Sequence, residues 1–169
     1  YNEADFAKFT DAICREVGEA HSFLNHWRGG TSPVKSLFFG GGTPSLLPVK
    51  QIKQIIDTLK SQFQFEPNAE ITIEANPETV SEKFCEELKS LTPVNRVSLG
   101  AQSFSEKNLK SLERLGSRES IYKAAALLKQ FGFNDFNLDL IFAIPGQSQS
   151  QMLEDLAEVA ALGSTHVSS

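Results

Sequence analysis

Apolar residues follow two spacings along this chain, and the two spacings alternate. From Phe6 to Trp27 they recur every three or four positions, which predicts a long amphipathic helix ending near Gly29-Gly30. Trp27 closes this apolar stripe, so we expect its ring to lie in the core. Five short apolar runs are typical of buried strands: 36–39, 71–75, 96–99, 136–140 and 165–169.

Segments with helical spacing separate these strands. The pattern Thr79-x-x-Glu82 predicts a capping box at the start of one helix, and Pro48 suits the first turn of another. Cys85 lies beside Phe84 in a helical segment, and we expect it in the core. Further helices are predicted as follows: a short one carrying Leu109 and Leu112, then longer ones over 117–131 and 149–162.

The order of these elements predicts the fold class. Successive strand ends lie roughly 25–40 residues apart, which is the length of one strand-helix unit. Strict alternation of strands and helices implies a parallel sheet with right-handed crossovers. We therefore predict a single α/β domain over 1–169: an incomplete parallel (β/α) barrel of about five strands with flanking helices, excised from a larger barrel.

Polar residues occupy one face of the predicted strands. In the run 71–75, isoleucines alternate with Thr72 and Glu74, and later runs alternate in the same way. We expect the apolar face to pack on the helices and the polar face to line the barrel interior. Four units then place candidate ligand-binding groups at carboxyl strand ends, where parallel α/β folds bind ligands: Gly40-Gly41-Gly42, Glu74, Gln102 and Asp139.

The glycine loop and Gln102 each allow two interpretations. Gly40-Gly41-Gly42 either brings backbone amides close to a ligand or forms a tight turn without one. It lacks the defining residues of a nucleoside-triphosphate loop or a dinucleotide turn. Gln102 offers both a donor and an acceptor, which suits either a ligand or the capping of a loop.

The two carboxylates allow three interpretations. Glu74 and Asp139 are either an acid-base pair, ligands for a hydroxylated or cationic molecule, or buried charges that a neighbouring cation neutralises. The third interpretation needs an arginine close by, and the candidates are Arg96 and Arg114.

Composition and charge exclude several classes of protein. With 169 residues, 40% of them hydrophobic and 22% charged, the sequence is typical of a globular domain. A net charge of −5 without any Lys/Arg run argues against nucleic-acid binding. No apolar run approaches the ~18–20 residues of a transmembrane helix, and no export signal is visible. Cys14 and Cys85 match neither a zinc spacing nor a disulfide framework, which favours the cytoplasm.

Ordered motifs carry a resemblance to a known family. They are 38–45 (Phe-Phe-Gly-Gly-Gly-Thr-Pro-Ser), 74–77 (Glu-Ala-Asn-Pro), 96–104 (Arg-Val-Ser-Leu-Gly-Ala-Gln-Ser-Phe), and 137–141 (Asn-Leu-Asp-Leu-Ile) with 144–147 (Ile-Pro-Gly-Gln). Here the chain resembles the radical S-adenosylmethionine (SAM) proteins of the oxygen-independent coproporphyrinogen III oxidase group, particularly the related haem chaperones. The resemblance covers nearly the whole chain from about Ser36.

The resemblance implies a partial barrel of radical-SAM type, with SAM across its top and an iron–sulfur cluster at one side. The implied SAM-binding positions are Gly41, Gly42, Thr43, Glu74, Gln102, Arg114 and Asp139. The first three form the family's glycine motif, which contacts the methionine end of SAM through backbone groups. No residue of the chain is assigned a catalytic role.

The family's C-x-x-x-C-x-x-C loop, whose thiolates hold a [4Fe–4S] cluster, has no counterpart in this sequence. Cys14 and Cys85 lie on predicted helices at the wrong spacing, so we assign no metal ligand. We expect either that the first strand and the cluster loop precede Tyr1 in the parent protein, with further units after Ser169, or that this is a degenerate member that has lost the cluster. The chain alone is predicted to be inactive.

The leading hypothesis is a haem-related radical SAM protein, either a haem chaperone or a relative of coproporphyrinogen III oxidase. It implies SAM, a [4Fe–4S] cluster in the full-length protein, haem or a porphyrinogen, and an electron donor. Glu74-Ala75-Asn76-Pro77 favours the chaperone branch. The alternatives are a cluster-free module that binds SAM or haem without turnover, and a barrel hydrolase or aldolase with Glu74 or Asp139 as its base.

Overall fold

Five parallel strands form one sheet in which the spatial order follows the order along the chain. This arrangement is seen in a computed structural model that describes residues 3–28 and 32–169. The strands are β1 (Val34–Phe39), β2 (Phe65–Ala75), β3 (Arg96–Gln102), β4 (Phe136–Leu140) and β5 (His166–Ser168). The predicted α/β class with five parallel strands is therefore confirmed.

One helix precedes the first described strand, and the others connect the strands at the predicted places. They are α1 (Glu3–Arg28), α2 (Val49–Gln62), α3 (Glu82–Leu91), α4 (Glu106–Ser111), α5 (Arg118–Gln130) and α6 (Gln149–Ala161). The predicted end of the first helix at Gly29-Gly30 lies outside the described residues. No helix in the described ranges is both long and apolar enough to cross a membrane.

The two faces of the sheet have the predicted difference in polarity. On one face Ile73, Val97 and Leu138 are completely buried against the flanking helices. Removing this apolar surface from water is the main force that holds helices and sheet together. The opposite face carries Ser98 and Asn137, which are buried and hydrogen-bonded to each other at 2.8 Å.

The predicted capping box at Thr79 is wrong. The helix α3 is not capped by Thr79, because Pro77 starts a short 3₁₀ turn in which the Thr79 hydroxyl donates to the Asn76 carbonyl at 2.7 Å. Ser81 caps α3 instead, and its Oγ accepts a hydrogen bond from the Phe84 amide at 3.1 Å. The helix therefore begins two residues later than a capping box at Thr79 requires.

The position of Trp27 is also wrong in the prediction, because its ring is 71% exposed. The helix α1 packs on α2 through contacts such as the edge-to-face stacking of His21 on Phe63. Trp27 lies beyond this contact, where its ring meets Phe23 and His26 of its own helix. The apolar stripe of α1 thus extends beyond the part of the helix that packs against α2.

Replacing Ser81 by Ala removes the acceptor for the Phe84 amide, and we expect the free energy of unfolding to fall by about 1 kcal/mol. Urea denaturation followed by circular dichroism measures this loss. Ser105→Ala is the matched control, because Ser105 precedes α4 without a side-chain capping bond. Equal losses in the two variants would contradict the assignment of the cap.

Candidate functional site

The glycine loop that follows β1 lies directly against the end of β2. The Gly41 amide donates a hydrogen bond to Glu74 Oε2 at 3.1 Å. A Cβ at Gly40 would lie 2.7 Å from the Phe38 ring and 3.1 Å from Glu74 Oε1, so a larger residue there would require these side chains to shift. Gly41 and Gly42 adopt φ angles of 86° and 62°, in the left-handed region that favours glycine. The structure therefore brings the loop and Glu74 together, as predicted.

A second contact joins the same two loops through side chains. Asn76 Nδ2 donates to Thr43 Oγ1 at 3.2 Å, and the hydroxyls of Ser45 and Thr79 lie 2.6 Å apart. Sequence reasoning did not select Asn76 as a site residue. Its position directly after β2 and before Pro77 was the available signal, because an amide at a strand end can reach the neighbouring loop.

Gln102 ends β3 in an unusual backbone conformation. Its φ angle is 65°, and the pairing of β3 with β4 shifts register between Gly100 and Gln102. The side chain folds back over Gly100, since a Cβ there would lie 2.9 Å from Gln102 Nε2 and 3.4 Å from Asn76 Oδ1. The left-handed turn thus directs the Gln102 amide toward the end of β2.

A cleft of about 290 Å³ opens between the loops that follow β2 and β3. Thr43, Gln102 and Arg114 contribute polar groups to its wall from three separate segments, and the carboxylates of Glu78 and Glu113 also line it. The apolar part of the wall comprises Leu46, Pro77, Leu109, Leu115 and Ile121. A cleft with one guanidinium, two carboxylates, amides and apolar surface suits a small amphipathic molecule that carries charges of both signs.

Asp139 is separated from this cleft and lies in the polar network on the other strands. Its Oδ2 accepts a hydrogen bond from Ser98 Oγ at 2.9 Å. Its Oδ1 accepts from Asn137 Nδ2 at 2.6 Å and from Ser168 Oγ. A carboxylate offers about four acceptor positions, so Oδ2 retains one position for a further donor.

Arg96 does not neutralise the two predicted site carboxylates. Its guanidinium lies 3.6 Å from Glu70 and 3.6 Å from Asp135, near the amino ends of the strands. The interpretation of Glu74 and Asp139 as charges paired with Arg96 is therefore wrong. The reason is register: Arg96 pairs with Thr72 across the sheet, two residues before Glu74.

The described residues do not fit an iron–sulfur cluster. Cys14 lies on α1, where its Sγ accepts a hydrogen bond from the Thr58 hydroxyl at 3.3 Å. Cys85 is completely buried in the core, as predicted, and burial raises the pKa of its thiol to about 11. A cluster binds thiolates, and a thiol with this pKa stays protonated at neutral pH. No cluster of three or more His, Cys, Asp or Glu side chains suited to a metal occurs in residues 3–28 and 32–169.

Comparison with known proteins identifies the class to which this fold and site belong. The sequence profile of the Radical SAM superfamily matches residues 27–159. That match covers most of the chain, and the chain belongs to the radical SAM superfamily. Proteins of this superfamily bind SAM and a [4Fe–4S] cluster.

Particular relatives narrow the comparison. "Heme chaperone HemW" of Escherichia coli (strain K12) is 40% identical over 136 residues, which are 80% of this chain and 35% of that protein. HemW of Synechocystis sp. is 32% identical over 162 residues, or 95% of this chain and 37% of the relative. The solved structure of the radical SAM enzyme coproporphyrinogen III oxidase (HemN) from E. coli superposes with a TM-score of 0.80 at 28% identity. That superposition covers 97% of this chain and 37% of HemN. The chain therefore spans about a third of the length of these relatives.

Glu113 lines the cleft and adopts a φ angle of 55°, in the left-handed region. A substitution by glycine tests whether this backbone conformation is strained. We expect Glu113→Gly to raise the free energy of unfolding by about 0.5–1 kcal/mol, because the relief of left-handed strain exceeds the added entropy of the unfolded chain. Equilibrium denaturation in urea measures the change.

The matched control for Glu113→Gly is Glu119→Gly, in the first turn of α5. Glycine at a helical position lowers stability, by about 0.5–1 kcal/mol. The two glycine substitutions should therefore act in opposite directions. A loss of stability in both would exclude the left-handed conformation of Glu113.

Proposed function

We propose that the protein containing this chain is a haem-related radical SAM protein, and that this chain supplies most of its SAM-binding residues. The hydrogen bond between the Gly41 amide and Glu74 carries the proposal, because it joins the two earliest SAM-binding motifs at one strand-end rim. HemW relatives at up to 40% identity favour a haem chaperone over a coproporphyrinogen III oxidase-like enzyme.

The residues present fit the chemical groups of SAM. We assign the carboxylate of SAM to the guanidinium of Arg114 in the cleft wall and its ammonium group to Glu74 beside the glycine loop, because the charges in each pair are opposite. Gly41, Gly42 and Thr43 offer backbone groups on a loop that glycine keeps accessible. We assign the ribose hydroxyls to Gln102 in the cleft wall and, outside that wall, to the remaining acceptor position of Asp139, whose register partner Gly100 lines the cleft.

We assign the cluster to a segment outside this chain. A groove of about 670 Å³ runs between α1 and β1, and its wall includes Phe9, Ile13, Phe38 and the glycine loop. Among the described strands β1 is at the edge of the sheet, so its outer backbone groups are available for pairing. An added parallel strand in this groove would carry a thiolate loop to the side of Gly41. SAM and the cluster together supply the radical chemistry when bound, while the chain positions the SAM.

Partners and location follow from the same proposal. We propose haem or a porphyrinogen as the second ligand, an electron donor for the cluster, and the cytoplasm as the compartment. The net charge of −5 supports a protein that does not bind nucleic acid. No residue is assigned a catalytic role, because the described residues that line the cleft offer groups for binding and orientation.

Anaerobic reconstitution of the full-length protein with iron and sulfide tests the function. We expect visible absorbance of an iron–sulfur cluster and formation of 5′-deoxyadenosine after reduction with SAM present. Titration with haem, followed by the Soret band, and assay with coproporphyrinogen III then separate the chaperone from the oxidase. SAM or haem binding without any cluster would favour the cluster-free module and overturn the radical SAM activity.

Glu74→Gln keeps the size of the side chain but removes its charge, and we expect SAM affinity to fall about tenfold or more. Isothermal titration of the reconstituted full-length protein measures the dissociation constant. Glu66→Gln is the matched control, because Glu66 lies on the same strand at its other end, 3.9 Å from Lys35. Wild-type affinity in Glu74→Gln would exclude the assigned site.

A further inference from the structure

A buried polar cluster joins α6 to the turn that follows β3. Asp155 and Asn108 are each 2% exposed, and Ser103 is completely buried. Asp155 Oδ2 accepts a hydrogen bond from Ser103 Oγ at 2.7 Å, and Oδ1 accepts from the Phe104 amide at 2.7 Å. A buried carboxylate is costly unless its oxygens are hydrogen-bonded, and here each of them is.

The pattern of donors around Ser103 requires a carboxylate at position 155. Ser103 Oγ accepts hydrogen bonds from the Ser105 amide at 3.1 Å and from Asn108 Nδ2 at 3.2 Å. Both of its lone pairs are therefore used, and its hydroxyl hydrogen must find an acceptor. Asp155 provides two acceptors, one for this hydroxyl and one for the Phe104 amide. Asparagine replaces one of these two oxygens with an NH2 group, which is a donor, so either the Ser103 hydroxyl or the Phe104 amide loses its acceptor.

This cluster begins one residue after Gln102. The Ser103 amide donates to the Ala101 carbonyl at 2.8 Å, which closes a tight turn around Gln102. The Gln102 carbonyl accepts from the Ile141 amide at 2.8 Å on the other side. A left-handed φ angle at a residue other than glycine is strained, and it persists only where the surroundings hold it. Asp155 supplies that restraint on the carboxyl side of the turn.

We propose that Asp155 is a positioning residue, which holds Gln102 in the left-handed turn that directs its amide into the cleft where SAM binds. The inference rests on the proposed function, because it takes Gln102 as a ligand-binding residue. It adds α6 to the elements that form the site, although Asp155 lies outside the cleft wall and contacts the site through the 103–104 segment.

A double-mutant cycle in the full-length protein, reconstituted anaerobically, tests this role. Gln102→Ala, Asp155→Asn and the double variant are titrated with SAM by calorimetry. We expect each single variant to weaken SAM binding by about five- to tenfold, and the double variant to bind no more weakly than Gln102→Ala. Glu154→Gln is the matched control: it removes an exposed carboxylate one residue away on α6 and should leave the affinity unchanged.

Thermal unfolding of the same variants separates positioning from stability. Loss of the buried hydrogen bonds should lower the unfolding temperature of Asp155→Asn in both backgrounds, whereas its effect on SAM affinity should vanish when Gln102 is absent. If Asp155→Asn does not fold, Ser103→Ala interrupts the same link and should give the same pattern.

Two results overturn the inference and can be told apart. If Gln102→Ala binds SAM like the wild type, the assignment of Gln102 in the proposed site falls, and the inference falls with it. If Gln102→Ala weakens binding but Asp155→Asn and Ser103→Ala do not, or if the losses add in the double variant, only the positioning role of Asp155 is excluded.

Discussion

The hydrogen bond from the Gly41 amide to Glu74 is the contact on which the candidate site depends. It joins the end of β1 to the end of β2. Its donor belongs to the run of three glycines at 40–42. Without Cβ atoms the loop can lie against a carboxylate, and the left-handed backbone directs an amide at it. The contacts of Thr43, Asn76 and Gln102 extend the same rim around the strand ends.

The two faces of the sheet differ in polarity and in what they contact. The apolar face is packed against helices and supplies the burial that stabilises the domain. The polar face carries groups that need partners, and in its middle Ser98, Asn137 and Asp139 satisfy one another. Lower on the strands Arg96 lies between Glu70 and Asp135. The candidate ligand-binding groups Glu74 and Gln102 lie instead near the carboxyl ends of β2 and β3.

The site is assembled from segments far apart in the chain, and helices outside the cleft contribute to its geometry. Gln102 is the clearest case: its conformation is bounded by Ile141 after β4 and by Asp155 on α6. The glycine loop lies beside an open groove, and the E. coli relative is more than twice as long as this chain. Cys85 belongs to the core that supports this arrangement, and burial raises the pKa of its thiol to about 11.

Most of the fold and the identity of the family were predictable from the sequence, because apolar spacing is a local property and the motifs occur in order. The spacing predicted all five strands, and β4 was predicted with its observed bounds, Phe136–Leu140. Contacts between distant segments were not predictable in this way. Nothing local distinguishes Ser81 from Thr79 as a helix cap, Arg96 from Arg114 as the partner of a carboxylate, or Asp155 from the exposed Glu154 beside it. The sequence by itself determined the class of fold, the family and the strand ends that bear polar groups. Only the tertiary structure decided which of those groups meet, because hydrogen bonds and burial depend on distances that helix packing and strand register set.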